Sequence, residues 1–220
     1  MKKYRTKKQA VYEFLKQEIL LGVLKPGEQI INSNIAKQLD VSENPVREAL
    51  HQLEMEGLVT IKPSIGTTVS ILSKKELEDI YELKIFLESM GIRKAIENIT
   101  DEDIKNLKLI IDESILAIEE NDFLSVSNLN KRFHMGIYKK SNNPYLIKVI
   151  EDLWTLIFRY ALVIYSTQQV NDFFDDHNDI LDAISEKDVD RAEYLMTEHQ
   201  NRAMNKMIEI LENSLVFSTE

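Results

Sequence analysis

The run "VSENPVREALHQLEMEGLV", residues 41–59, constrains the fold of this 220-residue chain more tightly than any other stretch. Ser42 sits where a helix N-cap is needed, and Pro45 falls in the first turn, where a missing backbone N–H costs little. Val46, Ala49, Leu50 and Leu53 recur at helical spacing as a buried stripe, and Gly57 closes the segment. Glu43, Arg47, His51 and Glu54 fall on the opposite face. The expected product is a short helix packed along one side, with its positive end and its polar side left open.

The flanking sequence places this helix in a larger unit. Ala10, Val11, Phe14, Leu15, Ile19 and Leu20 share one face of a helix expected from Lys7 to Leu21, which Gly22 and the "KPGEQI" turn stop. Asn32 or Ser33 can cap a second helix, expected from about Ser33 to Leu39, and a tight turn at Asp40-Val41 follows. "LVTIK", a "PSIG" turn and "TTVSI" read as a small β-hairpin. Helix, helix, turn, helix, hairpin is the order of a winged helix-turn-helix, expected over residues 1–72.

From Ser73 onward the periodicity is helical throughout. "SKKE" is a capping box that opens a helix running to about Asn98. Further helices are expected over residues 100–120, 122–140, 145–166, 170–184 and 188–213. Six antiparallel helices of this length make an all-α bundle over residues 73–220, so the chain is expected to be mainly α. Only six Gly and four Pro agree with that, and neither an internal repeat nor a low-complexity linker is visible.

The formal net charge of −10 hides an asymmetry. Residues 1–74 hold 11 Lys+Arg against 8 Asp+Glu, a net of +3, and the remainder holds 16 against 29, a net of −13. A mildly basic head on an acidic body suits a head that meets a polyanion. With no cysteine, disulfides, thiolate catalysis and Cys-based zinc sites are excluded. No apolar run is long enough to span a bilayer, and the basic "MKKYRTKKQ" start is followed by no apolar segment of secretory type, so a cytoplasmic location is expected.

In a helix-turn-helix, the N-terminal end of the second helix enters the major groove. That end offers Ser42, Asn44, free backbone N–H groups and Arg47, with His51 one turn further on. These groups can bond phosphate, and Arg47 can fork onto guanine. Glu43 can accept from a cytosine amine or pair with Arg47, and only the first adds to readout. "LLGVLKPGEQI", "IAKQLDVSENPVREALHQLEMEGLV" and "GTTVS" resemble the signature of GntR-type bacterial transcription regulators over residues 10–71. The resemblance implies a C2 dimer on a pseudo-palindromic operator, with Ser42, Asn44, Arg47 and Gly66 at DNA-contacting positions. Glu43 and Ser33 stand where the family commonly has arginines, so the operator sequence does not carry over. The basic arm (Lys2, Lys3, Arg5, Lys7, Lys8) could add phosphate contacts.

The body holds three histidines, His134, His177 and His199, each on a different expected helix, with Asn130 one turn before His134. Imidazoles from separate helices can meet inside a bundle and suit zinc, nickel, manganese or iron, but each could equally be polar surface or a hydrogen-bonded core residue. "NKRFHMGIYKKSNNPYL", "HNDILDAI" and "RAEYLMTEHQ" resemble the FadR-type, FCD effector-binding domain. That resemblance implies a divalent transition metal, zinc first, at Asn130, His134, His177 and His199. It also implies a small organic-acid effector, near which Lys84, Arg159 and Tyr165 are candidates. Asn130 replaces the usual Asp and leaves the site one charge more positive. The expected function is a DNA-binding regulator, a repressor, controlled by a carboxylate metabolite. The alternative is a metal-dependent hydrolytic enzyme with an accessory winged helix, against which stands the lack of H-E-x-x-H, of a placed general base and of a phosphate loop.

Overall fold

The computed structural model describes residues 6–165 and 171–213 of the chain. In chain order the elements are α1 (Lys7–Leu20), β1 (Gln29–Ile30), α2 (Asn32–Gln38), α3 (Glu43–Met55), β2 (Val59–Lys62), β3 (Gly66–Val69), α4 (Lys74–Ala95), α5 (Asp101–Glu119), α6 (Phe123–Tyr138), α7 (Pro144–Tyr165), α8 (Asn171–Ser185) and α9 (Val189–Asn213). Single 3-10 turns follow α4 and α6. The chain divides into two compact units between Leu72 and Ser73.

The first unit is a winged helix-turn-helix. Val11, Leu15 and Ile19 of α1, Ile35 and Ala36 of α2, and Val46, Ala49, Leu50 and Leu53 of α3 close over one another in a common core. Burying each large apolar side chain contributes roughly 1.5–3 kcal/mol, so this stripe fixes which side of α3 stays outward. Ser42 holds the N-cap position of α3 with extended backbone, but its hydroxyl makes no cap bond and is left available. Residue Ile31, not Asn32 or Ser33, precedes the first turn of α2, again without a side-chain cap.

Where the sequence pattern gives a two-stranded hairpin, the fold has a three-stranded antiparallel sheet in the order β1-β3-β2. Val59 pairs with Val69 and Lys62 with Gly66 across the hairpin, and Gln29 pairs with Thr68 on the other edge. β1 has two residues, too few to show alternation. It is held by the turn that precedes it, through Gly27 N–H to Val69 O and Val69 N–H to Glu28 O, both 2.9 Å. Gly66 opens β3 at φ +105°, a conformation that only glycine adopts without strain. Gln29 Nε2 donates to Ile65 O at 2.9 Å and pins the tip of the wing.

The second unit is all-helical. Both arms of the Ser73–Glu76 capping box are formed, and Thr100 with Asp103 makes a second such box at the start of α5. The core runs from Ile92 and Ala95 of α4 through Ile111 of α5, Phe133, Ile137 and Tyr138 of α6, and Ile150 and Trp154 of α7, to Ile180 and Ala183 of α8 and Met196 of α9. Gly91 lets α4 approach α6 closely: a Cβ there would lie 3.0 Å from Cδ1 of Tyr138. Among the described residues no helix is long and apolar enough to cross a membrane.

Candidate metal centre and recognition helix

On the first unit, Ser42, Glu43, Asn44, Arg47 and His51 lie exposed along the outward side of α3, Ser33 is exposed on α2, and Gly66 is exposed at the start of β3. The outward side chains are paired among themselves. Arg47 Nη2 meets Glu43 Oε2 at 3.0 Å, and Asn44 Nδ2 donates to Glu48 Oε1 at 2.9 Å. His51 Nδ1 lies 3.4 Å from Glu54 Oε2. Glu43 thus accepts from Arg47 in this structure. The other oxygen of Glu54 accepts the backbone N–H of Ile61 at 3.1 Å, which ties the end of α3 to β2 and sets the wing against the helix. The sequence carries no local sign of that contact. Lys2, Lys3 and Arg5 of the basic arm lie outside the described residues; Lys7 and Lys8 open α1.

In the second unit the packing just described brings His134 of α6, His177 of α8 and His199 of α9 together, 0%, 1% and 4% exposed. One ring nitrogen from each lies within 4.8 Å of the others. Phe133 stacks on the His177 ring at 4.3 Å, so the same α6 turn that fills the core also holds this cluster. Asn130 is buried on α6 one turn before His134.

Burial pushes His134 and His177 well below the ordinary imidazole range, since a charged ring there would lose its water. His177, His199 and Lys84 push His134 in the same direction, and His199 does so for His177. His199 is also lowered by burial, with Asp176 opposing. Neutral imidazoles carry lone pairs. His134 Nε2 is buried and has no hydrogen-bond partner among the described residues. Three neutral nitrogen donors converging in a buried interior fit a divalent d-block ion better than they fit a satisfied polar core.

Around the rings lies a layer of partners that sequence reasoning missed. Asp176 Oδ2 sits 3.1 Å from His199 Nδ1, and Asp176 Oδ1 is paired with Arg202 Nη2 at 2.6 Å. Tyr138 Oη lies 3.3 Å from His134 Nδ1 and donates to Glu88 Oε2 at 2.9 Å. Trp154 Nε1 donates to Glu88 Oε1 at 2.6 Å. Lys84, a candidate for meeting the effector, is 1% exposed and held by Glu88 at 3.0 Å and by the side-chain oxygen of Gln200. Its i, i+4 spacing from Glu88 was a visible signal. The Asp176 contact was not, because neighbours on a helix point about 100° apart and adjacency to His177 says nothing about His199. Arg159 and Tyr165 lie on α7, and their side chains fall outside the described residues.

Two family patterns match this chain: that of the bacterial regulatory proteins of the gntR family over residues 7–69, and that of the FCD domain over residues 79–202. The chain belongs to the GntR family, in its FCD-type, FadR-like branch. It is 30% identical over 187 residues to the HTH-type transcriptional regulator McbR of Escherichia coli, a match that covers 84% of this chain and 85% of that one. The solved structure of E. coli McbR/YncC superposes with a TM-score of 0.80 at 28% identity, covering 93% of this chain and 98% of that one. The HTH-type transcriptional repressor GlaR of E. coli is 28% identical over 197 residues, 86% of this chain and 90% of the relative. This GntR-family chain is therefore a DNA-binding transcription regulator with an FCD effector domain, not an enzyme, and the hydrolytic alternative finds no support among these relatives.

Proposed function

We propose that the chain is a metal-dependent, ligand-responsive repressor. Residues 1–72 form the DNA-binding head, and residues 73–220 form the sensing body. Two copies bind a pseudo-palindromic operator in the cytoplasm as a C2 homodimer, each placing α3 in the major groove with Ser42, Asn44, Arg47 and His51 toward the bases and backbone. Ser33, Glu43 and Gly66 flank that surface. The repressor direction is supported by the relative GlaR, a transcriptional repressor.

The observation that carries the sensing half is the convergence of three buried imidazoles, from three helices, within 4.8 Å. His134, His177 and His199, with Asn130 alongside, would hold a divalent transition metal, zinc first. The bound ion would supply open coordination positions and positive charge for a carboxylate-bearing metabolite. No ligand residue is anionic, and both nearby carboxylates are already matched by cations, Glu88 by Lys84 and Asp176 by Arg202. The ion's charge would go unneutralised by the protein, and an anion is the partner it favours. Lys84, paired with Glu88, stands behind the rings, while Arg159 and Tyr165 remain candidates on α7. Effector binding would shift the packing of α6, α8 and α9 and so re-space the two heads, with a coupling of about 1–3 kcal/mol, or roughly 5–150-fold in operator affinity.

The test combines metal analysis of purified protein with operator mobility shifts, with and without a panel of small carboxylates. His134→Ala and His177→Ala are expected to remove both metal and effector response while basal operator binding persists. If both variants lose operator binding and response together, the histidines are structural and the sensing half fails.

A further inference from the structure

The ring hydrogens of His134 and His199 follow from the donors and acceptors that face them. Lys84 Nζ, Tyr138 Oη and Trp154 Nε1 all point at the two oxygens of Glu88, at 3.0, 2.9 and 2.6 Å, so those oxygens act only as acceptors. A tyrosine hydroxyl has one hydrogen. Facing a carboxylate at 2.9 Å and the thioether of Met196 at 3.3 Å, it gives that hydrogen to the carboxylate, the far stronger acceptor. Tyr138 Oη then has only lone pairs for His134 Nδ1, 3.3 Å away, and the hydrogen between them must be on the imidazole. His134 is thereby set as Nδ1–H, with a bare Nε2, the atom that is buried and without a hydrogen-bond partner among the described residues. Asp176 does the same for His199 in one step: its carboxylate faces Nδ1 at 3.1 Å, and the lone pair is left on Nε2.

We infer that Tyr138, backed by Glu88, and Asp176 are positioning residues that fix the ring tautomers of His134 and His199, so that both offer Nε2 to a metal ion. This deepens the metal reading above and rests on it for the purpose of the lone pairs, though not for their placement. The two devices differ. Asp176 is a direct carboxylate partner, the usual outer arrangement for a metal-bound histidine. On α6, Tyr138 stands at i+4 from His134, and the carboxylate of Glu88 reaches the ring through the phenol. Each carboxylate is itself held by a cation, so the layer orients the rings without adding net charge. Lys84 thus serves to fix Glu88 in place. Gly91 belongs to the same device, because a Cβ there would sit 3.0 Å from the Tyr138 ring, which lies against α4, where Glu88 is carried.

The test has two arms on the full chain. Long-range 1H–15N correlation spectra of histidine-labelled, metal-free protein read which ring nitrogen carries hydrogen, with peaks assigned through single His→Ala variants. His134 and His199 are expected as Nδ1–H; either ring found as Nε2–H overturns the assignment, and no metal enters that result. In the second arm, zinc affinity is measured by chelator competition and cobalt by its visible spectrum, for the wild type, Tyr138→Phe and Asp176→Asn. Tyr138→Phe keeps the packed ring, and Asp176→Asn changes a partly exposed group. Each is expected to weaken metal binding about 10–100-fold. Wild-type affinity in both variants overturns the positioning role. A wild-type chain that holds no metal overturns the metal reading instead, and the tautomer spectra still decide the placement of the hydrogens.

Discussion

The buried histidines make the metal-free second unit sensitive to mild acid. An exposed imidazole in the unfolded chain titrates at about 6.5, whereas burial holds His134 and His177 well below that value in the folded state. Below about pH 6.5 the unfolded chain therefore binds more protons than the folded one, and stability falls as pH falls until the depressed folded-state values are reached. From pH 7 to 5.5, each ring that stays neutral in the folded state costs about 1 kcal/mol, so His134 and His177 together cost about 2 kcal/mol. His199, lowered less because Asp176 opposes its burial, adds a smaller amount in the same direction. For a unit of this size the loss corresponds to a fall in Tm of roughly 5–10 °C. Trp154 is the chain's single tryptophan and lies against the cluster, 5.3 Å between its ring centroid and that of His134, so its fluorescence follows this unit alone. Melts in chelator at pH 7 and 5.5 should show the drop, and His177→Gln should reduce it by about 1 kcal/mol. Added zinc should raise Tm at pH 7 and make the acid loss steeper, because the ion competes with protons for the same nitrogens. A Tm in chelator that stays level or rises between pH 7 and 5.5 would refute the claim that these rings are buried and neutral.

Three further outcomes follow from single contacts. Arg47→Ala should weaken operator binding by about 1–3 kcal/mol in a mobility shift while leaving metal content untouched. Glu54→Ala removes the acceptor for Ile61 N–H, so the Ile61 amide should exchange hydrogen faster and the N-terminal unit should lose about 1 kcal/mol in a denaturant melt. Gly91→Ala would add helix propensity of about 1 kcal/mol but set a Cβ 3.0 Å from the buried Tyr138 ring; the clash should win, with a net fall in Tm and weaker zinc binding, and a rise in Tm would show that the ring gives way freely.

Most of the helical layout was legible because it rests on periodicity that acts locally. The stripe of Val46, Ala49, Leu50 and Leu53 and the box at Ser73–Glu76 need nothing beyond their own helix. β1 was not legible: two residues carry no period, and only the arrival of β3 gives Gln29 and Ile30 their partners. The histidines stood out because the chain has so few of them, and the family resemblance grouped them. Their partners were hidden for a physical reason. Tyr138 reads as core, Glu88 as a charge on an amphipathic helix and Asp176 as one of several acids, and each gains its role only when α4, α6, α8 and α9 pack. First-layer residues carry a chemical signature in their type; the residues that aim them do not.

The acidic recognition helix poses the remaining question, and Glu43 is where it can be answered. The Arg47–Glu43 pair is an exposed i, i+4 contact, 61% and 45% exposed, and such pairs contribute only about 0.3–0.5 kcal/mol. DNA can therefore break it at small cost, and pairing is no barrier to groove reading. The larger effect of Glu43 is its charge, set at the helix end that the proposed docking turns toward phosphate. Glu43→Ala is expected to strengthen binding to operator and to random DNA by similar factors of about 2–5, with the ratio between them little changed. A different result has a different cause: if operator binding weakens while random binding strengthens, Glu43 accepts from a base, cytosine N4 being the donor it suits, and the acid counts toward sequence readout. The same comparison across a salt series separates the two, since lost repulsion fades with added salt and a lost base contact does not.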